Sequence, residues 1–202
     1  VEETKTGALS FSVSHSNNYG ISVGAGIQEK NIFGSGNTLN TQLKLSESFN
    51  KLSFYFENPY FNDKNHSISY GAFMSEINDD DVMQDSYEIS TKGLSLGYGV
   101  PLTENTRLNS NLEYAKNDIT CGTAFSASDY ESSQCADSDN DEVKLSFHWS
   151  ESTLNDYLYP TEGSSNALGV SIATPLGDYR YFNINANHRS YKSLSNDLTL
   201  KL

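Results

Sequence analysis

The sequence predicts an all-β chain folded as an antiparallel up-and-down meander, and three observations carry that expectation. Apolar side chains recur at every second position almost throughout, while helical spacing is nearly missing. The face opposite the apolar one is repeatedly Ser, Asn, Gly, Thr and Gln, with few charges. Two long acidic connections fall on hairpins of the same parity, so a meander brings both to one end of the sheet. A soluble sandwich hides its apolar face and shows Lys and Glu on the other. A membrane barrel reverses this, with apolar side chains toward lipid and polar ones toward a wet lumen. The pattern favours a transmembrane β-barrel, with a soluble barrel or sandwich as the alternative.

The first strand, GALSFSVSHS, runs from Gly7 to Ser16. It sets Leu9, Phe11, Val13 and His15 on one face and Ser10, Ser12, Ser14 and Ser16 on the other. In the second, Ile21, Val23, Ala25 and Ile27 alternate with Ser22, Gly24, Gly26 and Gln28. The third alternates Leu39, Thr41, Leu43 and Leu45 with Asn40, Gln42, Lys44 and Ser46. Leu52, Phe54 and Phe56 mark the fourth, and Ile68, Tyr70, Ala72 and Met74 the fifth. Leu94, Leu96, Tyr98 and Val100 make the sixth; Leu108, Leu112 and Tyr114 the seventh. Val143, Leu145, Phe147 and Trp149 follow as the eighth, then Leu168, Val170 and Ile172 as the ninth. Phe182, Ile184, Ala186 and His188 oppose Asn183, Asn185, Asn187 and Arg189 in the tenth, and Leu198, Leu200 and Leu202 suggest an eleventh. The last candidate stops in mid-strand, so the whole of 1–202 is expected to be a single segment, one portion of a longer barrel.

Connections at 34–37, 59–66, 101–106, 151–164 and 194–196 are short to medium. The acidic ones, 78–87 and 119–142, belong to the other set, matching barrels with short periplasmic turns and long external loops. No apolar run approaches the ~18 residues of a membrane-spanning helix. Val1 opens the sequence without the charged and apolar regions of a signal peptide, which fits a cytosolic chain or a mature exported segment. The net charge of -13 argues against nucleic acid, because phosphate binding needs clustered Lys and Arg.

Few constellations suggest chemistry. Cys121 and Cys135 close CGTAFSASDYESSQC, which reads as a disulfide staple in an oxidising compartment. A loop of about 15 residues so closed gains on the order of 3 kcal/mol in chain-entropy terms. DSDNDE, Asp137 to Glu142, offers acids at calcium-loop spacing, but Glu142 replaces the turn glycine and His148 the terminal glutamate. A solvated loop is expected there, with loose divalent binding as the lesser reading. His15, His66, His148 and His188 lack metal-ligand spacing, and a Ser-His pair near His15 or His148 is a weak signal in so serine-rich a chain. Glycines at Gly24 to Gly26 and Gly34 to Gly36 read as relief of crowding or as turns. No cofactor, no metal and no enzymatic activity are expected.

Several segments, taken in order, carry a resemblance: TKTGALSF (Thr4 to Phe11), GIQEKNIFGSGNTL (Gly26 to Leu39), ENPYF (Glu57 to Phe61), GYGVPLTENTRL (Gly97 to Leu108) and YPTEGS (Tyr159 to Ser164). Together they resemble the barrel of the BamA-like outer-membrane protein assembly factors and their wider superfamily. That resemblance implies a barrel of about 16 strands, of which this chain holds the N-terminal ten or eleven. Preceding POTRA domains, the later strands and the closing strand are expected to lie outside it. It also implies insertion of β-barrel clients into the bacterial outer membrane. The first strand would act there as a lateral-gate edge that pairs with client strands through Gly7, Ala8, Leu9, Ser10, Phe11, Ser12, Val13 and Ser14. Outer-membrane lipid, nascent barrel proteins and accessory lipoproteins of an assembly complex are the implied partners. A transport pore, porin-like or a related secretion barrel, is the alternative.

Overall fold

The computed structural model describes residues 6–16, 20–79, 87–121, 138–195 and 198–202. Eleven strands follow one another: β1 Gly7–Ser16, β2 Gly20–Glu29, β3 Thr38–Ser46, β4 Phe49–Asn58, β5 Ser67–Asp79 and β6 Tyr87–Pro101, then β7 Thr106–Cys121, β8 Ser138–Ser152, β9 Gly163–Ala173, β10 Phe182–Ser195 and β11 Leu198–Lys201. They form one sheet in strict sequence order, each strand beside its predecessor. Every pairing is antiparallel. This is the expected meander. Among the described residues, β1 and β11 are its edges and the sheet is not closed.

Among the described residues no second layer covers the sheet. Among the described residues the buried apolar side chains are Ala115 and Ala173, and no large side chain is fully enclosed. Leu9, Phe11, Leu94 and Ile184 all stand more than three-fifths exposed. In water that apolar face would forgo the burial that holds a soluble domain together, about 25 cal/mol for each Å². Lipid removes the penalty, so the exposed face is itself an argument for a membrane surround.

Register makes the apolar face a band with two polar borders. On β8 the band runs through Val143, Leu145, Phe147 and Trp149, between Asp141 at one end and Glu151 at the other. From Asp141 to Glu151 the strand rises about 33 Å at ~3.3 Å per residue, or about 25 Å along the normal at a tilt near ~40°. That is the height of a membrane barrel's apolar belt. At the Glu151 border Asn166 donates to Glu151 at 3.0 Å, and His188 meets Asn166 at 2.6 Å. At the Asp141 border Lys116 bonds Asp139 at 2.7 Å, and Tyr114 donates to Asp141 at 2.9 Å.

The acidic connections are shorter than expected. Residues 78–79, 87, 119–121 and 138–142 are paired strand, not loop, so 78–87 and 119–142 contract to 80–86 and 122–137. Both remainders lie outside the described residues. The reason is that β5 to β8 project beyond the apolar band. There Lys92, Lys116, Asp118, Asp139 and Asp141 replace apolar residues on the band's own face, and alternation no longer signals a strand. DSDNDE is corrected accordingly: Asp139 and Asp141 are strand residues engaged by Lys116 and Tyr114, not members of a solvated loop.

The 174–181 connection then covers the part of β8 that outruns β9. Thr174 and Asp178 donate backbone N–H bonds to Val143 and Asp141 at 2.7 Å each, and Asp178 accepts from the Asp141 amide at 2.7 Å. A Cβ at Gly177 would sit 2.5 Å from the Asp141 carbonyl, so only glycine permits this approach. Tyr181 donates to Glu142, whose carboxylate pushes the phenol up to about 12.

Candidate functional site

β1 supplies the arrangement with the clearest capacity to act. All ten of its residues pair with β2 in an unbroken register, from Gly7 opposite Glu29 to Ser16 opposite Gly20. Its other edge has no strand partner among the described residues. Every residue of the strand is exposed. The sequence leaves that edge competent to pair. Between Gly7 and Ser14 there is no charge, no proline and no bulge, the devices that normally blunt an edge strand.

The two faces of β1 are held differently. Leu9, Phe11 and Val13 stand 64%, 75% and 76% exposed on the apolar side. On the polar side Ser10 and Ser12 face Gly26 and Gly24, and a Cβ built at those glycines would lie 2.7 and 2.5 Å from the serine oxygens. Serine and glycine therefore form a complementary ladder, completed by a 2.6 Å bond between Ser14 and Ser22. Ser10 also donates to the Gly26 carbonyl at 3.4 Å. At the strand's start Thr6 donates to Glu29. Beneath the ladder lies a polar trough of about 370 Å³, lined by Ser10, Ser12, Ser14, Ser22, Gln42 and Lys44. Small residues thus keep β1 docked through backbone bonds and short hydroxyls, with little apolar anchoring.

The eight residues expected to form the gate edge, Gly7, Ala8, Leu9, Ser10, Phe11, Ser12, Val13 and Ser14, accordingly lie together along one strand. Cys121 ends β7 at the projecting border, and Cys135 lies outside the described residues, as does the proposed pairing of the two. His15, His66, His148 and His188 fall on β1, the 59–66 connection, β8 and β10 respectively, with His66 stacked edge-on against Tyr98. What sequence reasoning missed is the complementarity of the ladder. Its signal was the offset between serines spaced by two in β1 and glycines spaced by two in β2.

Comparison with known proteins agrees with the sheet. The Omp85 superfamily domain matches residues 31–202. The outer membrane protein assembly factor BamA of Neisseria meningitidis serogroup B is 24% identical over 99% of this chain, which spans about a quarter (26%) of that protein. Among solved structures, BamA from Haemophilus ducreyi lacking POTRA domains 1–3 superposes with a TM-score of 0.72 at 22% identity, covering 97% of this chain and 39% of that one. CdiB from Acinetobacter baumannii follows with a TM-score of 0.53 at 13% identity, covering 96% and 36%. At those identities the structures establish the fold. With the family match over most of its length and a sheet of the same architecture, this chain belongs to the Omp85 superfamily.

Proposed function

We propose that the chain is part of an outer-membrane barrel that assembles and inserts other β-barrel proteins, and that β1 is the edge on which client strands form. One observation carries the reading: β1 is a ten-residue strand without charge or bulge between Gly7 and Ser14, held to β2 by backbone bonds and a serine–glycine ladder with little apolar anchoring. The backbone donors and acceptors along its outer edge suit β-augmentation, in which backbone bonds supply affinity and alternate side chains supply selectivity. The fitting client strand sets apolar residues beside Leu9, Phe11 and Val13 and small polar ones beside Ser10, Ser12 and Ser14. No covalent chemistry is needed, because strand pairing and the burial of client apolar surface in lipid supply the driving force. Outer-membrane lipid, nascent barrel clients and accessory lipoproteins are the partners of this reading. The acidic connections face outward, where a Cys121–Cys135 staple holds the longer one, and the short turns face the periplasm.

The test is crosslinking in the intact protein. Single cysteines at Leu9 or Phe11 are expected to form disulfides with cysteines in client strands during assembly, and cysteines at Leu145 to form none. If Leu9 and Phe11 stay unlinked while clients are inserted, the edge is not the templating site. A transport pore is the second reading, favoured by the polar face lined with Ser, Asn and Gln. It would give steady single-channel conductance that a crosslinked β1 leaves unchanged.

A further inference from the structure

A groove on the lipid-facing side, away from β1, has a composition that membrane contact alone does not explain. It holds about 490 Å³ and crosses β4 to β7, with Leu52, Phe54, Ala72, Met74 and Leu94 in its lining. Ala72 makes it: between Phe54 on β4 and Leu94 on β6, the row dips to a single methyl group. Lys92 and Lys116 stand at its rim, on the border where the apolar band gives way to polar residues.

The two lysines are direct cross-strand partners, an arrangement that costs stability through like-charge repulsion. Lys116 is relieved by Asp139 at 2.7 Å and Asp118 at 3.9 Å, and nearby Asp141 accepts the Tyr114 hydroxyl. Lys92 has no such contact among the described residues. Glu76 and Asp118 occupy the diagonal positions beside it, yet among the described residues it makes no ion pair or hydrogen bond. An exposed lysine beside a second lysine, unpaired among the described residues, offers a site for an anion from outside the protein. Its position on the lip of an apolar groove says what else that anion carries.

We infer that this groove is a binding site for a phosphorylated membrane lipid, whose acyl chain lies over Ala72 and whose phosphate is held by Lys92. An interfacial lysine attracts an anionic headgroup, while the groove accepts hydrocarbon at no cost in polar desolvation. Lys116, already neutralised by Asp139, shapes the rim and adds little charge. The inference needs only that the apolar face meets lipid, and it stands whether or not the protein inserts clients.

The experiment is native mass spectrometry of the intact membrane protein, exchanged into micelles containing equal phosphatidylglycerol and phosphatidylcholine with the same acyl chains. The unaltered protein is expected to retain phosphatidylglycerol over phosphatidylcholine. Lys92→Gln is expected to cut the retained phosphatidylglycerol about fivefold, the factor set by one interfacial lysine. Ala72→Phe is expected to lower it as well by filling the groove, with heat-dependent gel mobility reporting that each variant folds. Lys51→Gln, on the opposite face, is expected to change nothing. Equal retention of the two lipids, or wild-type retention by a folded Lys92→Gln protein, overturns the inference. Should Ala72→Phe fail to fold, Lys92→Gln decides alone.

Discussion

Asp156 shows how much one side chain can do in a short connection. Its carboxylate accepts the backbone N–H groups of Tyr159 and Leu158 at 2.8 and 2.7 Å, and those bonds, Tyr159 foremost, hold its pKa below the usual carboxylate value. Asn155 does the same for Thr161 and Glu162 at 3.0 and 3.1 Å, so two neighbouring residues organise the 153–162 turn. Because the folded-state pKa is depressed, Asp156 contributes stability above its unfolded pKa and loses it as pH falls through the folded value. Amide exchange at Leu158 and Tyr159, corrected for intrinsic rates, is therefore expected to quicken from pH 5 to pH 2. In Asp156→Asn, which keeps an acceptor without the charge, that acceleration should vanish. Unchanged protection of the wild type across this window would mean that Asp156 does not order the turn. YPTEGS was legible as a family-like segment, but Asp156 was not. Its two bonds depend on how the turn folds back, which spacing does not record.

At the scale of the element, the β1–β2 hairpin depends on shape as much as on hydrogen bonds. Glycines in a strand interior ordinarily weaken it, yet Gly24 and Gly26 leave the room that Ser12 and Ser10 take. Gly24→Val is expected to push β1 off register and cost about 1–3 kcal/mol, the usual range for overpacking. Adding Ser12→Gly should recover most of that loss by vacating the same space. Urea midpoints of the two variants in micelles measure the coupling, and a double variant no better than the single one would refute the fit. Alternation made each partner's face readable from the sequence. The pairing of Ser10 with Gly26 and Ser12 with Gly24 depends on register, which the composition of two separate strands leaves undetermined.

For the whole molecule, the decisive quantity is the height of the apolar band against the two polar borders. Leu145 lies near its middle, between Asp141 and Glu151 on the same strand. Leu145→Arg is expected to cost about 2–4 kcal/mol, the price of a cation near the bilayer midplane, and to lower the folded yield in lipid vesicles. His148→Arg, three residues on and facing the polar side, should fold as well as the wild type. Equal yields for both substitutions would contradict the assignment of faces.

Strand order, the two faces and the parity of the connections were determined by the sequence alone, because side-chain alternation has the same period as the strand itself. Where β5 to β8 outrun the apolar band, that signal fails, since both faces become polar while the backbone continues to pair. Only the tertiary structure decided how far those strands extend and that Asp139 and Asp141 belong to β8. It also brought Lys92 beside Lys116 and set Ser10 and Ser12 against Gly26 and Gly24. Each of these depends on neighbours distant in the chain, and register between strands, not composition within one, puts them in contact.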